Sequence, residues 1–391
     1  MLERPIGSKA GWTRVRFDQM ATQVNERVDD PAEAGVEFYV GLEHLDPDSL
    51  RIRRWGEPTD VESTKLRFQP GDIIFGKRRV YQRKVAVADF EGICSAHAMV
   101  LRTKPDVVLP DFLPFFMQSD LFMERALSIS VGSLSPTINW KTLAAEEFLL
   151  PPIQEQVRSV EVLLAAQNNV ERLLELVEAI RIAQLSAFEE LLRLKGAQVR
   201  KLGSLLTASP SNGFSPTAAS EPTGHWVLAL SAISRWGYRA GQFKPVHCTT
   251  DTIAAVINKG DLVISRSNTR DLVGLPMVFP EKRGDVSYPD TMMRISVDPE
   301  DVSTDFLELC LRSPQCRRQI QSFAAGTSSS MLKINGANLR KVDVPLVSFA
   351  EQKSILKDMQ KFSETLQDAE RRLIAMRALQ RRLANGDDSG K

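Results

Sequence analysis

The chain has 391 residues, room for two to four domains, and at 43% hydrophobic and 25% charged it has the make-up of an ordinary globular protein. A net charge of +1 excludes a global electrostatic pull on nucleic acid, so any such binding must come from local basic patches. No apolar run is long enough for a membrane span, and Met1 to Ala10, with Glu3, Arg4, Pro5 and Lys9, does not read as a secretory signal.

Taken from the N-terminus, Trp12 to Leu150 mixes short strand-like runs with turns. Arg51, Arg53, Arg54 and Trp55 form a basic-aromatic group that suits either a core edge or a DNA-facing surface. Gly71-Asp72 leads into the apolar run Ile73-Ile74-Phe75, a strand entered through a turn. Directly after it come Lys77, Arg78, Arg79, Val80, Tyr81, Gln82, Arg83 and Lys84, with five basic side chains and no acidic one. A basic run with polar donors, placed after a strand, suits phosphate contacts and base-edge reading; the plain alternative is a solvated charged loop. Phe112 to Ala126 reads as a helix, and the stretch Ser133 to Thr137 is suited either to phosphate or to a turn.

Pro151-Pro152 opens and Gly196 closes a long helix, from about Gln154 to Lys195. Its apolar residues Leu163, Ala166, Val170, Leu173, Val177, Ile180, Ala187, Leu191 and Leu194 step by three and four, with Gln184 in the one gap. This is the seam of a coiled coil; the alternative is an amphipathic helix lying on its own domain, which needs a broader apolar face.

The second half repeats the first. Gly260-Asp261 leads into Leu262-Val263-Ile264 as Gly71-Asp72 leads into its strand, and Arg266, Ser267, Asn268, Thr269 and Arg270 follow as the second candidate DNA-contacting loop. Arg235, Trp236 and Tyr238 echo the earlier basic-aromatic group. Asp305-Phe306-Leu307, Ser313 and Gly326 repeat Asp111-Phe112-Leu113, Ser119 and Gly132, and Phe306 to Phe323 reads as a helix. Thr327 to Ser330 is a second Ser-rich loop. Ile334-Asn335, Leu339 and Glu351-Gln352 repeat Ile138-Asn139, Leu143 and Glu155-Gln156 in the same order. A second long helix, from about Ala350 to Ala384 and stopped by Gly386, carries Met359, Phe362, Leu366, Ala369, Leu373, Met376, Gln380 and Leu383 in the same seam register, again with a Gln. The two helices are expected to pair antiparallel, as a spacer of roughly 60 Å between two globular parts. The two globular parts share these anchors but differ strongly elsewhere, which points to two different half-sites and so to an asymmetric, split target.

Together these features resemble the specificity subunits of type I restriction–modification systems. The most specific pieces are Gly132 to Leu143 through Pro151-Pro152 to Gln156, and the copy Gly326 to Gln352, which departs from the pattern where Val347 and Ser348 replace the double proline. The resemblance implies an α+β fold with two pseudo-repeated target-recognition domains and two long helices forming an antiparallel coiled coil. The divisions are 1–150 and 197–348 for recognition, 151–196 for the central spacer helix and 349–391 for the C-terminal one with its tail. It implies an asymmetric, bipartite double-stranded DNA target and two modification subunits that carry S-adenosylmethionine and methylate adenine. A restriction and translocase subunit using ATP and Mg joins in some complexes, and no cofactor is expected on this chain. Asn139, Trp140 and Asn335 are candidate partner-docking residues, since two equivalent partners need equivalent sites.

No P-loop, Rossmann fingerprint, Asn-Pro-Pro-aromatic segment, G-x-S-x-G or H-E-x-x-H occurs, so no catalytic site is expected. Cys94, Cys248, Cys310 and Cys316 form no C-x-x-C pair and His44, His97, His225 and His247 are scattered; His247-Cys248 is a faint metal hint, and idle thiols in a reducing cytoplasm are the better reading. The competing functional reading is a coiled-coil scaffold that binds proteins, its basic loops merely solvated.

Overall fold

The computed structural model describes residues 11–132, 135–326 and 331–385. The expectations placed on Met1 to Ala10, on Ser133, on Thr327 to Ser330 and on Gly386 lie outside the described residues. The chain is α+β and divides into two compact units, Met1–Glu175 with Glu370–Lys391, and Leu176–Ala369. Each long helix contributes one part to each unit.

In the first unit a four-stranded antiparallel sheet runs in the order Ala21–Val24, Met99–Thr103, Ile73–Phe75, Val85–Val87. Side chains alternate across a strand. Ile73 and Phe75 therefore enter one cluster, with Phe17, Phe112, Phe122 and Phe148, while Ile74 enters another with Leu66, Phe68 and Val100. Burial on both faces explains why the run has no polar residue. A second sheet orders Arg27–Val28, Lys65–Phe68, Gly92–Ser95 and Tyr39–Val40, the last pair parallel. Thr13–Arg16 pairs with Glu147–Leu150, so the two ends of this folded region lie side by side.

The second unit repeats the plan. Ser211–Asn212, Met292–Ile295, Leu262–Ser265 and Pro276–Val278 form the same four-stranded order. Leu262 and Ile264 face one cluster and Val263 another. Trp226–Leu228 and Val286–Ser287 supply the parallel pair, and Gln198–Lys201 with Asp343–Leu346 joins the ends. The turns into the central strands match atom for atom. Gly71 and Gly260 have φ of 88° and 91°, where a side chain would strain the backbone. Asp72 accepts from the Gln69 amide and Asp261 from the Asn258 amide, at 2.9 and 2.8 Å.

The two long helices are Ile153–Leu194 and Phe349–Ala384. They pack antiparallel. In the first unit Val160 and Leu163, early in the first helix, share a cluster with Leu383 and Ala384, late in the second. In the second unit Phe188 and Leu192 share one with Ile355 and Met359, and Gln184 Nε2 donates to Ser363 Oγ at 3.5 Å. The seam departs from the sequence reading at one end. Leu194 is 64% exposed, and the buried positions there are Phe188 and Leu192, one residue away from the expected Ala187 and Leu191. A helix of 3.6 residues per turn drifts against a strict heptad, and Phe188 follows the drift to meet Phe306, 5.6 Å between ring centroids. The second seam holds its register: Met359, Ala369, Leu373 and Gln380 are buried.

The expected helices Phe112 to Ala126 and Phe306 to Phe323 are each two helices. Phe112–Gln118 gives way to Asp120–Ser128, and Thr304–Arg312 to Pro314–Phe323. Ser119 and Ser313 break them in extended conformation and cap the next helix, accepting from Phe122 N and Cys316 N.

Candidate nucleic-acid interface

Each central strand runs into a loop held by the same latch. Ile138 N donates to Lys77 O and Ile334 N to Arg266 O, both at 3.0 Å. The next residue pairs in both copies, Arg78 with Thr137 and Ser267 with Lys333. Ile138 and Ile334 are buried, as are Leu143 and Leu339, so these repeated residues build the platform under the loops.

On the first platform the basic run divides into two kinds of cation. Arg83 is turned inward: it is ion-paired with Asp48 at 2.8 Å and Asp120 at 2.9 Å and donates to Gln118 O. Lys84 Nζ donates to Leu42 O at 2.6 Å, and its pKa lies below the ordinary lysine value because of burial. Arg79 and Arg83 both take left-handed backbone, φ 58° and 53°, a conformation costly for residues with a Cβ. The Arg79 amide is anchored on Pro136 O at 2.7 Å, while its side chain is exposed and reaches Ser135 Oγ at 3.2 Å. Tyr81 is 54% exposed. Arg78 Nη1 lies 3.2 Å from His97 Nε2. Burial lowers the pKa of half-buried Lys77. His97 is also lowered, by burial first and then by Arg78, Lys77 and Lys65. Beside the loop opens a cavity of about 470 Å³ lined by Glu43, Asp46, Asp48, Arg54, Tyr81 and Gln82. Its three carboxylates are matched by three cations, Arg54 and the lining Arg83 and Lys84.

On the second platform Arg266 Nη1 donates to Asp290 O at 3.2 Å, and Ser267 is buried. Asn268 is folded back, its amide donating to Ser265 Oγ at 3.3 Å and its oxygen accepting from Thr269 N at 2.9 Å. Thr269 and Arg270 are exposed.

The basic-aromatic groups are largely used within their own units. Arg53 pairs with Asp46 and with Glu171 of the first long helix, and Arg54 pairs with Asp46. Trp55 is half exposed and stands edge-on to Phe38 and Phe90. Trp236 lies under two guanidinium groups, Arg235 at 5.0 Å and Arg181 of the first long helix at 5.3 Å. Tyr238 donates to Glu281. Buried Arg312, unremarked in the sequence, pairs with Glu308 at 2.9 Å and donates to Ser234 O, Arg235 O and Pro276 O, which fixes the hairpin beneath Trp236.

Asn139 and Asn335 cap the short helices Trp140–Ala145 and Gly336–Leu339, accepting from Lys141 N at 3.2 Å and Asn338 N at 2.8 Å. Trp140 is half-buried, 6.1 Å from Phe17 between ring centroids. Among the described residues, no three His, Cys, Asp or Glu side chains gather as metal ligands, and no helix is long and apolar enough to cross a membrane.

Sequence reasoning missed His97, Lys65 and the carboxylates that consume Arg83. All lie on other elements, so proximity along the chain gave no signal.

Residues 60–179, from the second sheet through the first platform into the first long helix, match the protein family described as Type I restriction modification DNA specificity domain. The chain is 32% identical over 173 residues to the specificity subunit of the Escherichia coli enzyme EcoDI, covering 41% of this chain and 36% of that one. It is 22% identical over 190 residues to the EcoEI specificity subunit of Escherichia coli, covering 47% and 32%. With the EcoKI specificity subunit of Escherichia coli strain K12 it is 20% identical over 336 residues, covering 76% and 71%. The chain thus spans only about a third of the length of the first two relatives. Among solved structures it is similar to the HsdS subunit of Thermoanaerobacter tengcongensis, with 18% identity, 97% of each chain covered and a TM-score of 0.39. The S subunit of M. genitalium gives 15% identity, 99% and 97% coverage and a TM-score of 0.44. Residues 60–179 thus resemble the type I restriction–modification DNA specificity domain. The curated relatives it is similar to are specificity subunits of type I restriction enzymes.

Proposed function

We propose that the chain reads an asymmetric, two-part double-stranded DNA target and presents it to two modification subunits that methylate adenine. S-adenosylmethionine belongs to those partners, as do ATP and Mg to any restriction subunit that joins. Recognition is assigned to residues 1–150 and 197–348, and the spacing between half-sites to helices in 151–196 and 349–391. The observation that carries this reading is the shared latch, Lys77 O with Ile138 N and Arg266 O with Ile334 N, which holds two unlike loops on one scaffold. A common platform with divergent loops is what two different half-sites require, because phosphate contacts position a protein and loop side chains discriminate bases. Arg78, Arg79 and Tyr81 are the proposed reading residues of the first loop, with Lys77 behind them; Arg266, Thr269 and Arg270 are those of the second. Asn139, Trp140 and Asn335 mark the proposed partner-docking helices.

The test is to map methylated adenine genome-wide in cells carrying the chain with its modification subunit. A split, asymmetric motif that disappears when the chain is deleted is the expected result. Arg78→Glu with Arg79→Glu is expected to abolish methylation of that motif while the complex keeps its mass on a sizing column. A motif indifferent to both changes would leave the scaffold reading standing.

A further inference from the structure

His97 stands in the turn between the strands Gly92–Ser95 and Met99–Thr103, its amide accepted by Ser95 Oγ at 3.2 Å. Its ring Nε2 meets Arg78 Nη1 at 3.2 Å. A guanidinium has donors only, so Nε2 is the acceptor and the ring is neutral, with its proton on Nδ1. The charges that act on His97 are all cations: Arg78 and Lys77 from the loop after Ile73–Phe75, and Lys65 from the strand Lys65–Phe68. Together with burial they hold the ring unprotonated. His97 is nonetheless exposed, and Arg79, also exposed, is the next residue along from Arg78. An accessible neutral imidazole among three cations is an anion site that lacks one proton.

We propose that His97 and Arg78 are a phosphate-binding pair: the neutral ring holds the guanidinium in place in the free protein, and both turn to a DNA phosphate when it docks, the ring taking a proton from solvent. The inference rests on the DNA-reading function proposed above and gives His97 two roles, holding Arg78 in the free protein and contacting the phosphate beside it in the complex. The docked phosphate offsets the cations that suppress protonation, so His97 binds its proton more tightly in the complex than in the free protein. By linkage, DNA affinity then rises as pH falls through the His97 pKa of the complex, and levels off below that of the free protein. The coupling belongs to one half-site. In the second copy the pair Ile264↔Met293 replaces Phe75↔Met99, which puts Thr291, with no titratable group, at the place of His97.

The experiment uses the full chain assembled with its modification subunits and a fluorescent duplex carrying the mapped motif. Anisotropy is measured at constant ionic strength from about pH 8 to about pH 6. One coupled proton changes affinity by at most about tenfold per pH unit, and a tightening of roughly fivefold is expected across this range. His97→Gln retains an oxygen acceptor for Arg78 but cannot titrate, so its affinity ratio between the two pH values falls to about that of the partner subunits alone. His97→Ala removes the response as well and lowers affinity further, because Arg78 loses its support. A duplex scrambled in the first half-site loses the response; one scrambled in the second keeps it. A full response in His97→Gln, or a flat wild-type profile, overturns the inference. If instead Arg78→Ala with Arg79→Ala recognises the motif with wild-type affinity, the loop is not a reader and the DNA assignment of this site fails, whatever His97 does.

Discussion

Buried Gln156 and Gln352 show how a single residue ties recognition to spacing. In the first unit Gln156 Oε1 accepts from Leu109 N and its Nε2 donates to Pro151 O, both at 2.9 Å. In the second, Gln352 Oε1 accepts from Ser303 N at 3.0 Å, and its Nε2 donates to Asp301 O at 3.0 Å and Val347 O at 3.2 Å. Each locks the start of a long helix to the segment entering the helix pair above it. Gln352→Leu leaves the part-buried Ser303 amide without its acceptor, at a cost of about 2 kcal/mol, or roughly thirtyfold faster amide exchange. Hydrogen–deuterium exchange of peptides spanning Ser303 is expected to show that loss while the Leu109 peptide is unchanged, and Gln156→Leu is expected to reverse the pattern. Equal changes at both would mean that the lock is not local. The Glu-Gln pairs were legible as repeats, but their role was not, because the partners lie 47 and 49 residues away. The basic run has the same limit. Its position after a strand is plain in the sequence, but that Arg83 is spent on Asp48 and Asp120 while Arg79 stays outside depends on loops that meet only in the fold.

At the scale of elements, hydrophobic periodicity was a good guide where a helix packs on a helix and a poorer one where it packs on something else. The long helices begin and end within a residue or two of their expected bounds. Where Val347 and Ser348 replace the prolines, a capping box takes over: Ser348 N donates to Glu351 Oε2 at 3.1 Å, and Glu351 N to Ser348 Oγ at 3.4 Å. The seam fails at its far end because Phe188 answers to the strand-and-helix core of the second unit, around Phe306 and Leu202, as well as to the other long helix. The split of Phe306 to Phe323 was readable in principle, since Pro314 disfavours helical backbone at Ser313. That of Phe112 to Ala126 carries only a serine as its mark. These assignments separate in a direct comparison: Phe188→Ala is expected to destabilise the second unit by about 3–5 kcal/mol, and Leu194→Ala by less than about 0.5 kcal/mol. Urea unfolding followed by Trp226 and Trp236 emission reports the difference, and similar midpoints for the two variants would restore the strict heptad.

Over the whole molecule, 50 basic residues stand against 49 acidic ones, so the chain has almost no net field with which to draw DNA toward it. Affinity supplied by this chain must then come from local groups of exposed cations, and the salt dependence of binding counts those that contact phosphate. Each phosphate contact contributes about 0.9 to the slope of log affinity against log salt. Arg79 and Arg83, four residues apart in one basic run, should therefore leave opposite signatures. Arg79→Ala removes an outward cation whose side chain, among the described residues, contacts Ser135 Oγ alone, at 3.2 Å, so the salt slope of the assembled complex falls by about one and the thermal midpoint stays put. Arg83→Ala removes the guanidinium shared by Asp48, Asp120 and Gln118 O, so the midpoint drops while the slope is kept. The loss is on the order of 1–3 kcal/mol, because Asp48 and Gln118 O are mostly shielded from water and are left without their donor, whereas Asp120 is 45% exposed and adds little. A slope loss at Arg83, or a stability loss without a slope change at Arg79, would show that the division between outward and inward cations is drawn in the wrong place. Since the net charge is nearly zero in either case, no change in the overall field can imitate the result.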